Sequence, residues 1–81
     1  MVKVTVWGSL RDATDGEAEV EVEASTFIEV LNGLKAKYPG LTAQIERGVS
    51  LSIDGRVYKE SWFTPVRADS EVILMPLMVG G

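Results

Sequence analysis

The chain has no cysteine and no histidine among its 81 residues, which removes thiolate nucleophiles, disulfides, the common zinc ligands and the usual general base together. Positive charge is also scarce. Eight Lys and Arg stand against twelve Asp and Glu, and the net charge of −4 repels phosphate backbones rather than collecting them. Nucleic acid is therefore not an expected partner, whereas a basic protein surface is. Neither GxxxxGK nor GxGxxG occurs, so ATP has no familiar loop here and must be held by another protein. Asp12 and Asp15 lack the glycine and further ligands of a calcium loop, and no metal site is expected. The longest apolar run, Val72 to Val79, contains Pro76 and falls far below the ~20 residues that cross a bilayer. No apolar signal segment follows Met1, so a cytoplasmic location is the expectation.

What is present is ordinary globular material, 46% hydrophobic and 25% charged, enough for one small domain with one core. Val2, Val4 and Val6 alternate with Lys3, Thr5 and Trp7, the period of a half-buried strand with the valines inward and Trp7 on the opposite face. Gly8-Ser9 ends it. Leu10 to Thr14 predicts a short helical turn, and Asp15-Gly16 a chain reversal. Glu17 to Glu23 alternates again, with Ala18, Val20 and Val22 inward and glutamates at 17, 19, 21 and 23 forming a solvated outer face. The two strands read as a hairpin with a longer loop.

Thr26, followed three residues later by Glu29, is a capping box that opens the main helix. Phe27, Val30, Leu31, Leu34 and Tyr38 form its apolar stripe, Asn32, Lys35 and Lys37 face water, and Pro39-Gly40 stops it. Gly33 costs about 1 kcal/mol relative to alanine in a helix, which points to close packing on the sheet. Thr42 to Arg47 predicts a further helical turn contacting the core through Ala43 and Ile45. Val49, Leu51 and Ile53 alternate with Ser50 and Ser52. Asp54-Gly55 is the strongest hairpin signal, returning through Arg56 to Tyr58. Lys59 to Ala68 reads as a long loop pinned by Trp62, Phe63 and Val66, and Asp69-Ser70 turns into the last strand.

One amphipathic helix covers only one face of a sheet, so the order strand, strand, helix, strand, short strand, strand predicts an α+β fold. The expected architecture is a β-grasp, as in ubiquitin, with a mixed sheet of four to five strands and the first and last strands parallel at its centre. Residues 1–75 form the expected domain and 76–81 a tail. On the last strand Val72 and Leu74 have one parity, Ile73 and Met75 the other, and both sets are apolar. With the first set inward, Ile73 and Met75 join Trp7 in an outward apolar patch, the usual mark of a binding surface.

The tail, Pro76-Leu77-Met78-Val79-Gly80-Gly81, supplies the remaining chemistry. Glycine has no Cβ, so a segment ending in it can thread a channel too narrow for other residues. With Cys and His absent, the carboxylate of Gly81 is the expected reacting group. Adenylation by a partner would give it a leaving group, after which sulfide, a thiol or an amine can attack the acyl carbon.

Taken with the opening strand Val2 to Trp7, the helix ending in Lys37-Tyr38-Pro39 and the turn into strand at Asp69-Ser70-Glu71-Val72, this tail makes the chain resemble the ubiquitin-like sulfur carriers of the MoaD/ThiS family. It is most similar to the small subunit of molybdopterin synthase. The resemblance implies that Gly81 is adenylated by an E1-like adenylyltransferase of the MoeB/ThiF type and converted to a thiocarboxylate. That group would then donate sulfur inside a MoaE-like large subunit, in molybdenum cofactor biosynthesis. It further implies that Pro76, Leu77, Met78, Val79 and Gly80 thread the partner channel and that Trp7, Ile73 and Met75 dock partners. No cofactor is bound by the chain itself; ATP and a sulfur donor come through the activating enzyme. Related carriers for thiamine, cysteine or tRNA thiolation, and archaeal-type modifiers conjugated to lysines, share this tail logic. A β-grasp interaction module with an unreactive tail is the remaining alternative. The family often places two prolines and a small residue before the glycines, and Leu77-Met78-Val79 here asks for a roomier channel.

Overall fold

The computed structural model describes residues 1–76. In chain order it contains strand β1 (Val2–Val6), a 3₁₀ helix (Gly8–Thr14), strand β2 (Glu19–Val22), helices α1 (Phe27–Lys37) and α2 (Leu41–Arg47), and strands β3 (Val49–Ile53), β4 (Arg56–Tyr58) and β5 (Val72–Pro76). The strands form one five-stranded sheet in the order β2-β1-β5-β3-β4. The β1–β5 pair is parallel, and β1–β2, β3–β4 and β3–β5 are antiparallel. This is the expected β-grasp, with the last strand inserted between two earlier ones.

Valine alternation places one core face under α1. Val2, Val4, Val6, Val20, Val22, Leu51, Val72 and Leu74 are all buried in the same cluster as Phe27, Val30, Leu31 and Leu34 of the helix. Gly33 brings α1 down on β2: a Cβ added there would lie 3.0 Å from Val22 Cβ and 3.3 Å from its Cγ1. The helical glycine therefore exchanges propensity for a close approach.

The cap at the start of α1 is built from three residues. Thr26 Oγ1 accepts a hydrogen bond from the Glu29 N–H at 3.4 Å. The Glu29 carboxylate reaches back to Ser25, accepting from its N–H and from its hydroxyl, each at 2.7 Å. The chain after β4 then satisfies two more first-turn donors, because the N–H groups of Phe27 and Ile28 donate to the carbonyls of Thr64 and Trp62. A loop strapped across a helix start in this way supplies acceptors that the helix cannot supply itself.

Three local expectations change. In α2 the core contact is Leu41, fully buried, with Ile45 packed at the edge, while Ala43 is exposed. Leu41 and Ile45 lie four residues apart and so share a face that Ala43 does not. In the loop, Val66 is buried and Trp62 sets its ring edge-on to Phe27, with centroids 5.6 Å apart, but Phe63 is 83% exposed. Trp62 and Phe63 are the central residues of a turn closed by the Thr64 N–H donating to the Ser61 carbonyl at 3.0 Å, and with Trp62 packed on the helix Phe63 is left at the outer corner of that turn. Lys35 is half-buried rather than fully in water.

Candidate functional site

The outer face of the sheet follows from register, since directly opposed residues of neighbouring strands share a face. Thr5 is level with Ile73, Ile73 with Ser52, and Ser52 with Val57, giving one row across four strands. Met75 is level with Ser50 in the next row. Trp7 follows β1 by one residue, and the same parity sets it beside Met75. Its N–H donates to the carbonyl of Leu74 at 3.1 Å and its carbonyl accepts from the N–H of Leu10 at 2.8 Å, so its backbone is fixed on both sides. The Arg11 Nε also donates to the carbonyl of Val6 at 3.0 Å, which holds the 3₁₀ helix against the end of β1.

The sequence expectation of an outward set on β5 can be read residue by residue. Trp7 is 48% exposed, Ile73 and Met75 are half-buried, and the loop of residues 59–68 makes its described backbone contacts with the start of α1 rather than with this face. Ser50 and Ser52 are buried although they belong to the outer face. A short side chain between taller neighbours is shaded by them, and Ser52 lies level with Ile73 on one side and Val57 on the other while Ser50 lies level with Met75. Val57, 57% exposed, is a member of this surface that sequence reading passed over. Its signal was the pairing of Arg56 to Tyr58 with β3, where Tyr58 faces the core and Val57 must then face away.

Beyond the apolar centre the face turns acidic. Glu21 of β2 stands level with Lys3 and Glu19 with Thr5, and all four predicted outward glutamates are exposed. Among the described residues, no group of three or more His, Cys, Asp or Glu is arranged to hold a metal ion, and no helix is long and apolar enough to cross a membrane. No buried side-chain polar atom among them lacks a partner. The Glu29 carboxyl has its pKa lowered chiefly by the Ser25 hydroxyl and then by the Ser25 N–H; it belongs to the helix cap and not to this face.

Pro76 is the last residue of β5 and lies level with Val49. The other proposed tail residues, Leu77, Met78, Val79, Gly80 and Gly81, lie outside the described residues.

A five-stranded mixed sheet gripping one main helix, with β5 at its centre leading toward the Gly-Gly segment, defines the class as ubiquitin-like β-grasp proteins. The ThiS family model matches residues 4–81, and the chain belongs to this family of ubiquitin-like sulfur carriers. Its fold is similar to that of a chain in the Amycolatopsis orientalis BexX/CysO complex, with a TM-score of 0.80, 20% identity and 100% of both chains covered. Mycobacterium tuberculosis CysO, an antigen, gives a TM-score of 0.80 at 21% identity over 94% of this chain and 98% of that one. Small archaeal modifier protein 1 from Methanosarcina acetivorans gives 0.76 at 26% identity over 99% of this chain and 95% of its own. No curated protein matches.

Proposed function

We propose that the chain carries sulfur as a thiocarboxylate on Gly81 and delivers it in molybdopterin synthesis. The observation that supports the carrier part of the reading is that the family match runs through residue 81, so Gly80-Gly81 falls inside the matched pattern; the molybdopterin part rests on the resemblance drawn from the sequence, and carriers for thiamine, cysteine or tRNA thiolation fit the same match. The chemistry is completed by partners. The Gly81 carboxylate attacks the α-phosphate of ATP on an E1-like enzyme and releases pyrophosphate. Sulfide attack on the acyl carbon then expels AMP and leaves the thiocarboxylate. In the acceptor enzyme that sulfur displaces an oxygen leaving group from the substrate carbon, and water then cleaves the acyl–sulfur bond, restoring the Gly81 carboxylate and leaving the sulfur on the substrate as a thiol. Residues 1–75 act as the handle, Trp7, Ile73 and Met75 as the docking surface, and residues 76–80 as the segment that enters the partner. The BexX/CysO complex supports the general scheme, being an assembly that contains a chain of this fold.

Intact-mass spectrometry of the protein from its own cell tests the thiocarboxylate: the expected mass exceeds the sequence mass by one oxygen-to-sulfur exchange. Deleting Gly81 is expected to abolish molybdenum cofactor formation. Retained cofactor synthesis in the deletion strain overturns the molybdopterin assignment, and a sulfur-free terminus overturns the carrier reading. A second reading, a modifier conjugated to lysines, is favoured by the 26% identity to small archaeal modifier protein 1. It predicts higher-mass adducts that persist in denaturing gels and disappear with Gly81.

A further inference from the structure

β2 is an edge strand of the sheet, paired on one side with β1. In an antiparallel pair the N–H and C=O groups of successive residues point alternately toward the partner strand and away from it. The Ala18 carbonyl accepts the Val6 N–H at 2.8 Å, so residues of that parity turn their backbone groups toward β1, and Glu19 and Glu21 turn theirs outward. Lys37, in the last turn of α1, fits this parity: its Nζ donates to the Glu21 carbonyl at 2.8 Å from the open side. Along the same edge runs a groove of about 470 Å³, with Ala18, Val20 and Tyr38 on its helix side, Glu19 and Glu21 on its outer side and Glu17 at the start of the strand. Lys3 also lines it but stands on β1, level with Glu21, so a chain approaching the edge meets the glutamates first.

A sheet edge with outward backbone groups and a groove beside it is the receiving half of a strand addition, in which backbone hydrogen bonds give affinity and alternate side chains give selectivity. We propose that β2 takes an extended segment of another protein as a sixth strand, the segment alternating basic and apolar residues. Charge complementarity selects this occupant. Directly opposed residues of neighbouring strands share a face, so the side chains opposite Glu19 and Glu21 stand on the outer face, where Lys or Arg pairs with the two carboxylates. The side chains between them point to the helix side, along Ala18, Tyr38 and the aliphatic stem of Lys37, and apolar residues fit there. The same rule excludes a second copy of β2, because glutamate would then oppose glutamate. The other edge strand, β4, offers three residues against the four of β2. While the edge is empty Lys37 covers the Glu21 carbonyl, and the incoming strand takes its place with a backbone N–H.

The probe is the peptide Lys-Val-Lys-Val-Lys-Val-Lys, acetylated and amidated at its ends and titrated into the full chain at low salt while amide resonances are followed by NMR. The amides of Glu19, Glu21 and Tyr38 are expected to shift, and the indole N–H of Trp7 on the outer face to stay in place. A Glu-Val peptide of the same pattern is expected to bind about tenfold more weakly or not at all. Two further forms, N-methylated on the lysine amides or on the valine amides, keep the charge of the probe. Alternate amides of an added strand face β2, so one methylated form is expected to lose binding and the other to keep it within about twofold; loss on the lysine amides marks an antiparallel addition. Equal binding by the two methylated forms overturns the proposal, because attraction of charge alone then accounts for it. So do equal binding by the Glu-Val peptide, shifts centred on Trp7 instead of β2, and the absence of any shift at Glu19 and Glu21. Neither the terminal glycine nor an activating enzyme enters the experiment, so its failure leaves the carrier reading standing, and a missing thiocarboxylate leaves this one standing.

Discussion

At the scale of single residues, the side chains that shape this domain act through one or two close contacts each. Glu29 is the clearest case for pH. Its carboxylate accepts two hydrogen bonds from Ser25, which hold its pKa below the ordinary value of 4.5. A group whose folded pKa is depressed contributes stability above its unfolded pKa and loses it as pH falls through the folded one. Glu29→Gln is therefore expected to lower the urea midpoint at neutral pH and to converge with the parent once the pH is below the glutamate range; denaturation curves across that interval check it. Gly33 makes the opposite kind of contact, through what it lacks. Alanine gains about 1 kcal/mol in helix propensity, but its Cβ would sit 3.0 Å from Val22 Cβ, and overpacking costs about 1–3 kcal/mol. Gly33→Ala is expected to destabilise by up to about 2 kcal/mol in the parent and to stabilise by a few tenths to about 1 kcal/mol when Val22→Gly, which removes the Cβ that alanine would keep, is also present. A double-mutant cycle in urea reads the change of sign.

Between single residues and the whole, the elements are held in place by turns that reach beyond their own strands. Asp54 and Gly55, with φ of 51° and 85°, form the tight reversal between β3 and β4. The same Asp54 accepts the Glu71 N–H on Oδ1 at 2.9 Å and donates its own N–H to the Glu71 carbonyl at 2.8 Å. One turn residue thus fixes a hairpin and sets the start of β5. Asp54→Ala loses both the side-chain acceptor and the tolerance of left-handed backbone, and is expected to cost about 1–3 kcal/mol. Asp54→Asn keeps an acceptor oxygen and the tolerance, so most of that stability should remain. Thermal unfolding of the two variants separates the contributions, and equal losses would show that Asp54 acts through charge instead.

For the whole molecule, placing β5 at the sheet centre produces two unlike surfaces. Its inward residues Val72 and Leu74 complete the core, while Ile73 and Met75 stand on the outer face level with Ser52 and Ser50. Met75 is half-buried on the outer face and is not part of the core cluster, so on the proposed docking role a charge there would weaken partner binding without entering the interior. Met75→Asp is expected to weaken binding to the activating enzyme by tenfold or more, about 1.4 kcal/mol, with the circular dichroism spectrum and melting cooperativity retained. Calorimetric titration measures it; unchanged affinity, or an unfolded variant, removes Met75 from the docking surface.

Much of this fold was legible before any coordinates. The valine alternation of β1 and β2, the Thr26 cap, the stripe from Phe27 to Leu34 and the Asp54-Gly55 turn each arise from backbone geometry that repeats over a few residues, so the sequence alone determined them. The apolar parity of Ile73 and Met75 was legible in the same way. Only the tertiary structure decided that serines of β3 would be shaded on the outer face and that Val57 would join it. It also decided that Phe63 would turn to solvent while Trp62 packed on Phe27, and that Lys37 of α1 would meet the Glu21 carbonyl at the edge of β2. These depend on which strands become neighbours and where a long loop is strapped. They are contacts between residues far apart in the chain, on which a local period carries no information.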